Sequence, residues 1–511
     1  MNTNIHPLPV LILSLLLATA RAEEIPEILT PKPPPTPRVN GPSIFGVRPG
    51  SPFVYRIPAT GQRPMQFSVL ELPDGLRVNA ATGDITGHLS IEGKYKVVLR
   101  ARNALGQSDK NFLIVVGDTI SLTPAMGWNS WNCWGARVTT EKVLQSARGM
   151  AESGLIEHGW TYINIDDAWQ AARRGGPFNA IQGNTNFPDM KGLCDQIHGL
   201  GLKAGIYSTP WTTSYANHIG GSSENREGAW ERPTVEKRGR VNKKILPWAI
   251  GRYSFATNDA QQWAAWGIDY LKYDWNPNEV PETREMAGAL RASGRDVIFS
   301  LSNSSPFTNM PALSQYANSW RTTGDIRDTW DSVSKKGFSQ DKWKPFNSPG
   351  HWNDPDMLVV GRVGWGAPHP THLTANEQYT HISLWCLLSA PLLIGCDLGK
   401  VDDFTLGLLS NDEVLALDQD ALGQQATCVS SNNDIKIYAK DLENGSKAVG
   451  LFNAGTNSAN GAVLWSDLKL DGRRVVRDLW RQKDLGQFTG QFEANVAPHG
   501  VVLVRLDNRS N

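Results

Sequence analysis

Carboxylates recur where short apolar runs stop. Asp166 and Asp167 close YINIDD, Asp274 closes DYLKYD, Asp325 follows SWRTTG, and Asp354 and Asp356 follow HWN. Two of these places also carry a cation. Lys272 precedes Asp274 by two residues, hence lies on the same side of an extended strand, and Arg321 precedes Asp325 by four. Carboxylates in unlike environments can divide a reaction, one staying ionised to attack while the other holds a proton to donate. Cleavage of a glycosidic bond needs such a pair. Asp274 suits the nucleophile, with Lys272 placed to keep it ionised or to hold sugar hydroxyls. Asp325 suits the general acid/base, with Arg321 available to orient substrate. A single Asp after a strand is ordinarily a helix cap, and a single Lys/Asp or Arg/Asp pair an ordinary ion pair. Four strand ends equipped in this way favour chemistry.

The elements that must bring these groups together alternate. Strands are expected over Tyr162–Asp166, Lys203–Tyr207, Tyr270–Tyr273, Val297–Leu301, Trp320–Thr323 and Asp356–Val360, with helical patterns between them. Met190, Leu193, Cys194, Ile197 and Leu200 fall on one helical face, which Gly201 ends. Thr140 is positioned to cap a helix running to Ser153 with Gly154 as its stop, and Pro281 to start another that ends near Gly294. Strand–helix alternation sustained over residues 119–423 predicts a parallel (β/α)₈ barrel, in which all strand C-termini open on one face. Carboxylates far apart in sequence then converge there.

Around this region the pattern is different. Residues 1–22 read as a signal peptide, with an apolar stretch from Val10 to Ala18 and an A-x-A signature predicting cleavage after Ala22, so a secreted or periplasmic protein is expected. Residues 23–41 are proline-dense and read as a stiff linker. Over 42–118, short alternating runs separated by turns such as Pro73-Asp74-Gly75 predict a β-sandwich, and LPDGLRVNAATGDITGHLSIEGKYKVVLRARNALG resembles immunoglobulin-like or cadherin-like modules. Residues 424–511 predict a C-terminal antiparallel β-sandwich, with Asn444-Gly445 turning a hairpin between Ile435–Ala439 and Ala448–Phe452. With 50 basic and 50 acidic side chains there is no electrostatic field for nucleic acid. No run after the signal is long enough to span a membrane. Five scattered cysteines form no CxxC pair, and no Gly-rich phosphate loop follows a strand, so neither metal nor cofactor is expected. The 19 Trp suit either core filling or flat platforms for the C–H face of a sugar.

TPAMGWNSWNCWG, YINIDDAWQ, GLKAGIYS, WGIDYLKYD, SWRTTGDI, HWNDPDML and LSAPLLIGCDL occur in order between Leu122 and Asp420. Together they resemble glycoside hydrolase family 27, the α-galactosidases and α-N-acetylgalactosaminidases. The resemblance implies net retention, no metal, Asp274 as nucleophile and Asp325 as acid/base. It further implies that Asp166 and Asp167 bind the O4 and O6 hydroxyls of a galacto-configured sugar and that Trp128 stacks on its apolar face. Tyr207, Lys272, Arg321, Asp356 and Met357 would line the rest of the pocket. The expected partner is an α-galactoside oligosaccharide or polysaccharide. Three departures stand out. The cysteine that commonly follows the nucleophile by two residues, and its partner in the loop after GIY, are absent, so that loop must be held by other means such as Trp211 or Trp275. A charged loop over Ser222–Ile250 (Glu224, Arg226, Glu231, Arg232, Lys237, Arg238) is expected to shape the leaving-group side. After the fifth strand the chain reads FSLSNSSPF, which puts the small Ser302 and Ser305 where α-galactosidases of the family carry a Glu and a bulky residue. That keeps α-N-acetylgalactosaminidase open as an alternative. β-L-Arabinopyranosidase ranks below it because Asp166 and Asp167 are both short, and a non-catalytic carbohydrate-binding barrel ranks last.

Overall fold

The computed structural model describes residues 26–232, 240–241, 244–245 and 248–507. The signal segment and its cleavage position lie outside the described residues, as do Lys237 and Arg238. Eight parallel strands form the central sheet: Met126–Asn129, Tyr162–Asn164, Lys203–Ser208, Ile268–Asp274, Ile298–Ser302, Ser319–Arg321, Trp352–Asp354 and Leu392–Ile394. They neighbour one another in sequence order, with the eighth beside the first. A single parallel bridge from Leu358 to Ile394 closes the seventh side onto the eighth strand. The result is the expected (β/α)₈ barrel. The fourth strand is buried along its length except for a half-buried Lys272, as a strand covered on both faces should be.

Local chemistry sets the element ends. The helix Met190–Gly199 buries Met190, Leu193, Cys194 and Ile197, and Asp189 caps it by accepting from the Gly192 amide. The helix Thr140–Glu152 is capped by Thr139, whose hydroxyl accepts from the Lys142 amide, one residue before the expected Thr140. Pro281 lies in the first turn of Val280–Ala292. The strand expected over Asp356–Val360 is instead Trp352–Asp354. Pro355 has no amide hydrogen to give the ladder, and Asp356 turns to φ 89°, which ends the strand.

The helix Ala375–Leu388 is buried continuously from Glu377 to Leu388, because the barrel covers one side and the C-terminal domain the other. That domain is a six-stranded antiparallel sheet with a two-stranded ribbon, Ala459–Leu464 against Gln491–Val496. The N-terminal module packs a four-stranded sheet on a three-stranded one around Phe53, Ile85, Leu99 and Ile114. It docks on the barrel through Arg48 to Asp296 (3.2 Å), Arg56 to the Leu200 carbonyl (3.0 Å) and Asn40 to the Glu157 carbonyl (3.0 Å). These three residues precede barrel strands, so the module sits under the N-terminal face, away from the strand ends that carry the carboxylates. The proline-dense segment is not a free linker. The Tyr379 hydroxyl donates to the Glu27 carbonyl and accepts from the Leu29 amide (both 2.9 Å). Thr30 donates to the Gly407 carbonyl (2.6 Å), and Arg38–Val39 pairs with Ala59–Thr60. No helix among the described residues is long and apolar enough to cross a membrane.

Candidate active site

At the C-terminal ends of the strands the charged side chains form two paired groups, Lys272 with Asp166 and Arg321 with Asp325 and Asp356, whose charges both act on Asp274. Asp166, just past the second strand, accepts from Lys272 Nζ and from Asn129 Nδ2, both at 2.8 Å. Its own amide donates to Ser130 Oγ (2.9 Å), so the end of the first strand fixes both its backbone and its side chain. Asp167 accepts from the Ala168 amide (2.7 Å), from Gln170 Nε2 (3.1 Å) and from the Ala216 amide (2.8 Å). It thereby ties the second strand to the loop after the third. Lys272 Nζ also lies 5.6 Å from the centre of the Tyr207 ring. Its hydrogen bond goes to Asp166 rather than to Asp274, so its hold on Asp274 is through space.

In the second group, Arg321 is 2.9 Å from Asp356 and 3.2 Å from Asp325. Asp356 also accepts from the Ile326 amide (2.6 Å), one residue past Asp325. Asp356 therefore anchors both Arg321 and the loop that presents Asp325. Its left-handed backbone, unusual outside glycine, fits a strained position at a working site. Asp274 Oδ1, the Tyr207 hydroxyl and Arg321 Nε are buried with no partner among the described residues. Buried polar atoms are nearly always paired, so three at one place mark a site built for a polar ligand.

The two carboxylates proposed for chemistry differ in environment. Burial pushes Asp274 up to about 7, against the pull of Lys272 and reinforced by the charges of Asp166 and Asp325. Burial pushes Asp325 up as well, but the charges of Arg321 and Lys272 and the Arg321 hydrogen bond together outweigh it and hold Asp325 below the usual carboxylate range. Burial raises Asp354 to about 6, opposed by Arg321. Asp325 keeps a largely exposed side chain (60%), whereas Asp274 is 7% exposed.

A family model described as Alpha galactosidase A matches residues 123–227 and 241–420, and one described as its C-terminal beta sandwich domain matches 432–506. The chain belongs to the α-galactosidase family, glycoside hydrolase family 27. An immunoglobulin-like model matches 36–117. Alpha-galactosidase 2 of Arabidopsis thaliana is 36% identical over 403 residues, covering 78% of this chain and 92% of that protein. A candidate alpha-galactosidase of Bacteroides fragilis NCTC 9343 is 31% identical with a TM-score of 0.82, covering 95% of this chain and 100% of that one. Alpha-galactosidase I of Mortierella vinacea is 30% identical with a TM-score of 0.63, covering 76% and 97%.

Within the family this chain holds its pocket loop without a disulfide, its five cysteines being free. Trp211 stacks on Trp248 (6.0 Å, 12°), and Tyr215 meets both edge-on at 5.1 and 4.9 Å. Trp230 donates to Thr213 (3.0 Å) and Trp248 to the Ser214 carbonyl (3.3 Å), so the long loop after Ser222 folds back onto the first. Of the two expected substitutes for the disulfide, Trp211 takes this role. Trp275 is fully buried against Tyr273 (5.1 Å).

Two further expected pocket residues are as deeply buried as Tyr207 and Asp166. Trp128 is 0% exposed, and its indole N–H donates to the Cys396 carbonyl (2.7 Å), which fixes the ring at the end of the first strand. Met357, 6% exposed, packs under the same end of the barrel. Ser302 is buried at the end of the fifth strand, and Ser305 gives its hydroxyl to Asn278 Oδ1 (2.5 Å). Between them Asn303 and Ser304 take left-handed backbone (φ 79° and 62°), and Asn303 Nδ2 donates to the Tyr215 hydroxyl (2.8 Å). Tyr215 feels the charges of both Asp274 and Asp325, which with burial hold its hydroxyl protonated. Neither Tyr215 nor Asn303 was singled out from sequence. The one available signal was a Tyr in the same loop as the missing cysteine.

Proposed function

We propose that this protein is a retaining exo-α-galactosidase in which Asp274 attacks the anomeric carbon and Asp325 protonates the departing oxygen, then deprotonates the incoming water. The observation that carries the reading is the unlike pair at one charged site: Asp274 buried between Lys272 and Arg321, Asp325 reaching solvent from Arg321. Lys272, Asp166 and the Tyr207 hydroxyl offer donors and acceptors for the sugar's hydroxyls, and a site built to pair an axial hydroxyl rejects the epimer by leaving those groups unpaired. Before a sugar binds, the proton rests more firmly on Asp274 than on Asp325, the reverse of what attack requires. Sugar binding reverses it: hydroxyl donors reach Asp274 Oδ1, while the leaving group covers Asp325 and removes its water.

The pH profile follows, because coupled groups titrate as a pair. One proton resides on the pair between the low value of Asp325 and about 7, where Asp274 ionises. Above that both are charged and no proton is left for the leaving group. kcat/KM is therefore expected to fall roughly tenfold per pH unit above a midpoint near 7. A profile flat from pH 6 to 9 would contradict the assignment.

The α-N-acetylgalactosaminidase reading rests on the small Ser302 and Ser305. Ser302 is buried, Ser305 is turned onto Asn278, and Asn303 between them is tied to the Tyr215 hydroxyl, which favours the galactoside. Side-by-side hydrolysis of aryl α-D-galactoside and aryl α-N-acetylgalactosaminide tests this. The wild type should prefer the galactoside by at least about tenfold in kcat/KM, and Asn303→Ala should narrow the gap. Preference for the N-acetyl sugar would reverse the reading. The same proposal includes export, and N-terminal sequencing of the mature protein should begin at Glu23.

A further inference from the structure

Folding assembles a second polar cluster that lies outside the active-site carboxylates. Asp328 follows Asp325 by three residues on the loop after the sixth strand. His369 and His372 come from a hairpin, Arg362–Val363 against His369–Pro370, that follows the seventh strand. One ligand atom from each of Asp328, His369 and His372 lies within 4.8 Å of the others. The Asp328 side chain is buried (7% exposed), and its Oδ2 faces both His372 Nδ1 (2.9 Å) and the His372 amide (3.0 Å). His369 Nδ1 is 2.9 Å from the Pro370 carbonyl. A proton there leaves Nε2 with a free lone pair, as outer-sphere carbonyls do for metal-binding imidazoles. The two rings lie beside each other, 4.7 Å between centres.

We propose that Asp328, His369 and His372 form a site for a first-row divalent transition ion of the Zn²⁺ class. Two imidazoles and one carboxylate fit such an ion, whereas Ca²⁺ and Mg²⁺ call for oxygen ligands. Tetrahedral bonds of about 2.0–2.2 Å put ligand atoms roughly 3.3 Å apart. Closing from 4.8 Å needs only side-chain rotation, and His372 is 67% exposed and free to make it. Binding exchanges the proton between His372 Nδ1 and Asp328 for the ion, and water fills the fourth position. The sequence expectation of no metal rested on the lack of clustered His and Cys. This cluster spans more than 40 residues and exists only in the fold. It joins the loop bearing Asp325 to the hairpin, a junction already supported by Arg327 over Trp365 (4.7 Å). The ion would stiffen that loop without touching substrate.

Calorimetric titration of the untagged, EDTA-treated full chain with Zn²⁺ alone tests the site. One ion per chain is expected. His369→Ala and His372→Ala should each weaken binding by about tenfold or more, and Zn²⁺ should raise the melting temperature of the wild type but not of the double variant. Because His369 lies on a surface hairpin and its Nδ1 faces only the neighbouring Pro370 carbonyl, His369→Ala should keep wild-type stability and α-galactoside hydrolysis without metal. Absence of saturable binding, equal affinity in the variants, or preference for Mg²⁺ or Ca²⁺ would overturn the proposal.

Discussion

Asp274→Asn should lower kcat for an aryl α-galactoside by about 10⁴-fold or more, because no covalent intermediate can form without the carboxylate. The fold should survive, since Asn matches Asp in shape and Asp274 Oδ1 has no protein partner to lose. The variant should also be more stable than the wild type at neutral pH. A carboxyl whose folded pKa is raised binds its proton more tightly folded than unfolded, so stability falls as pH rises from its ordinary value near 4 to the folded value of about 7. The asparagine carries no such cost. Its advantage should be on the order of 2–4 kcal/mol above pH 7 and vanish below pH 4. Denaturant unfolding at pH 4 and pH 8 separates these cases, and an Asn variant less stable than wild type at pH 8 would contradict the picture of a desolvated, unpaired carboxylate.

Asp325→Ala should show a different signature. Loss of the general acid costs roughly 10²–10⁴-fold on a substrate with a poor alkyl leaving group, and far less on an activated aryl glycoside, which departs without protonation. The second step then limits, because no base activates water. Azide, which needs no base, should restore turnover and yield α-galactosyl azide, with the anomeric configuration retained through two displacements. In Asp274→Asn the same anion could react only by direct displacement, giving the β-azide. Equal losses on aryl and alkyl substrates with no azide effect would remove Asp325 from the acid/base role. Arg321 and Asp356 hold Asp325 through the Ile326 amide and the guanidinium.

Much of this was legible in the chain because the deciding signals are local. Apolar runs that end in Asp, and helices with clear stops, locate the strand ends, and the barrel rule places those ends on one face. What escaped depended on pairing across the fold. Lys272 was placed beside Asp274 by strand alternation, yet its hydrogen bond goes to Asp166 at the end of the second strand, because inward-pointing residues of alternate strands meet inside the barrel. The bond that fixes the Trp128 ring comes from the Cys396 carbonyl, just past the eighth strand, a pairing the sequence does not show. The strand expected at Asp356–Val360 failed because Pro355 and a left-handed Asp356 override the apolar run Met357–Val360. The proline-dense segment lacks any periodicity, so nothing local shows that Tyr379 and Gly407 hold it. Tyr215, Asn303 and the aromatic trio that replaces a disulfide are also long-range products, visible only once the loops after the third and fifth strands meet.

The measurement that bears most directly on Asp274 as nucleophile of a retaining α-galactosidase is proton NMR of the sugar released in the first minutes from an aryl α-D-galactoside. The expected result is α-galactose first, drifting to the equilibrium mixture by mutarotation, with no release by Asp274→Asn. Release of β-galactose first, or of galactose at an undiminished rate by the variant, would contradict the account.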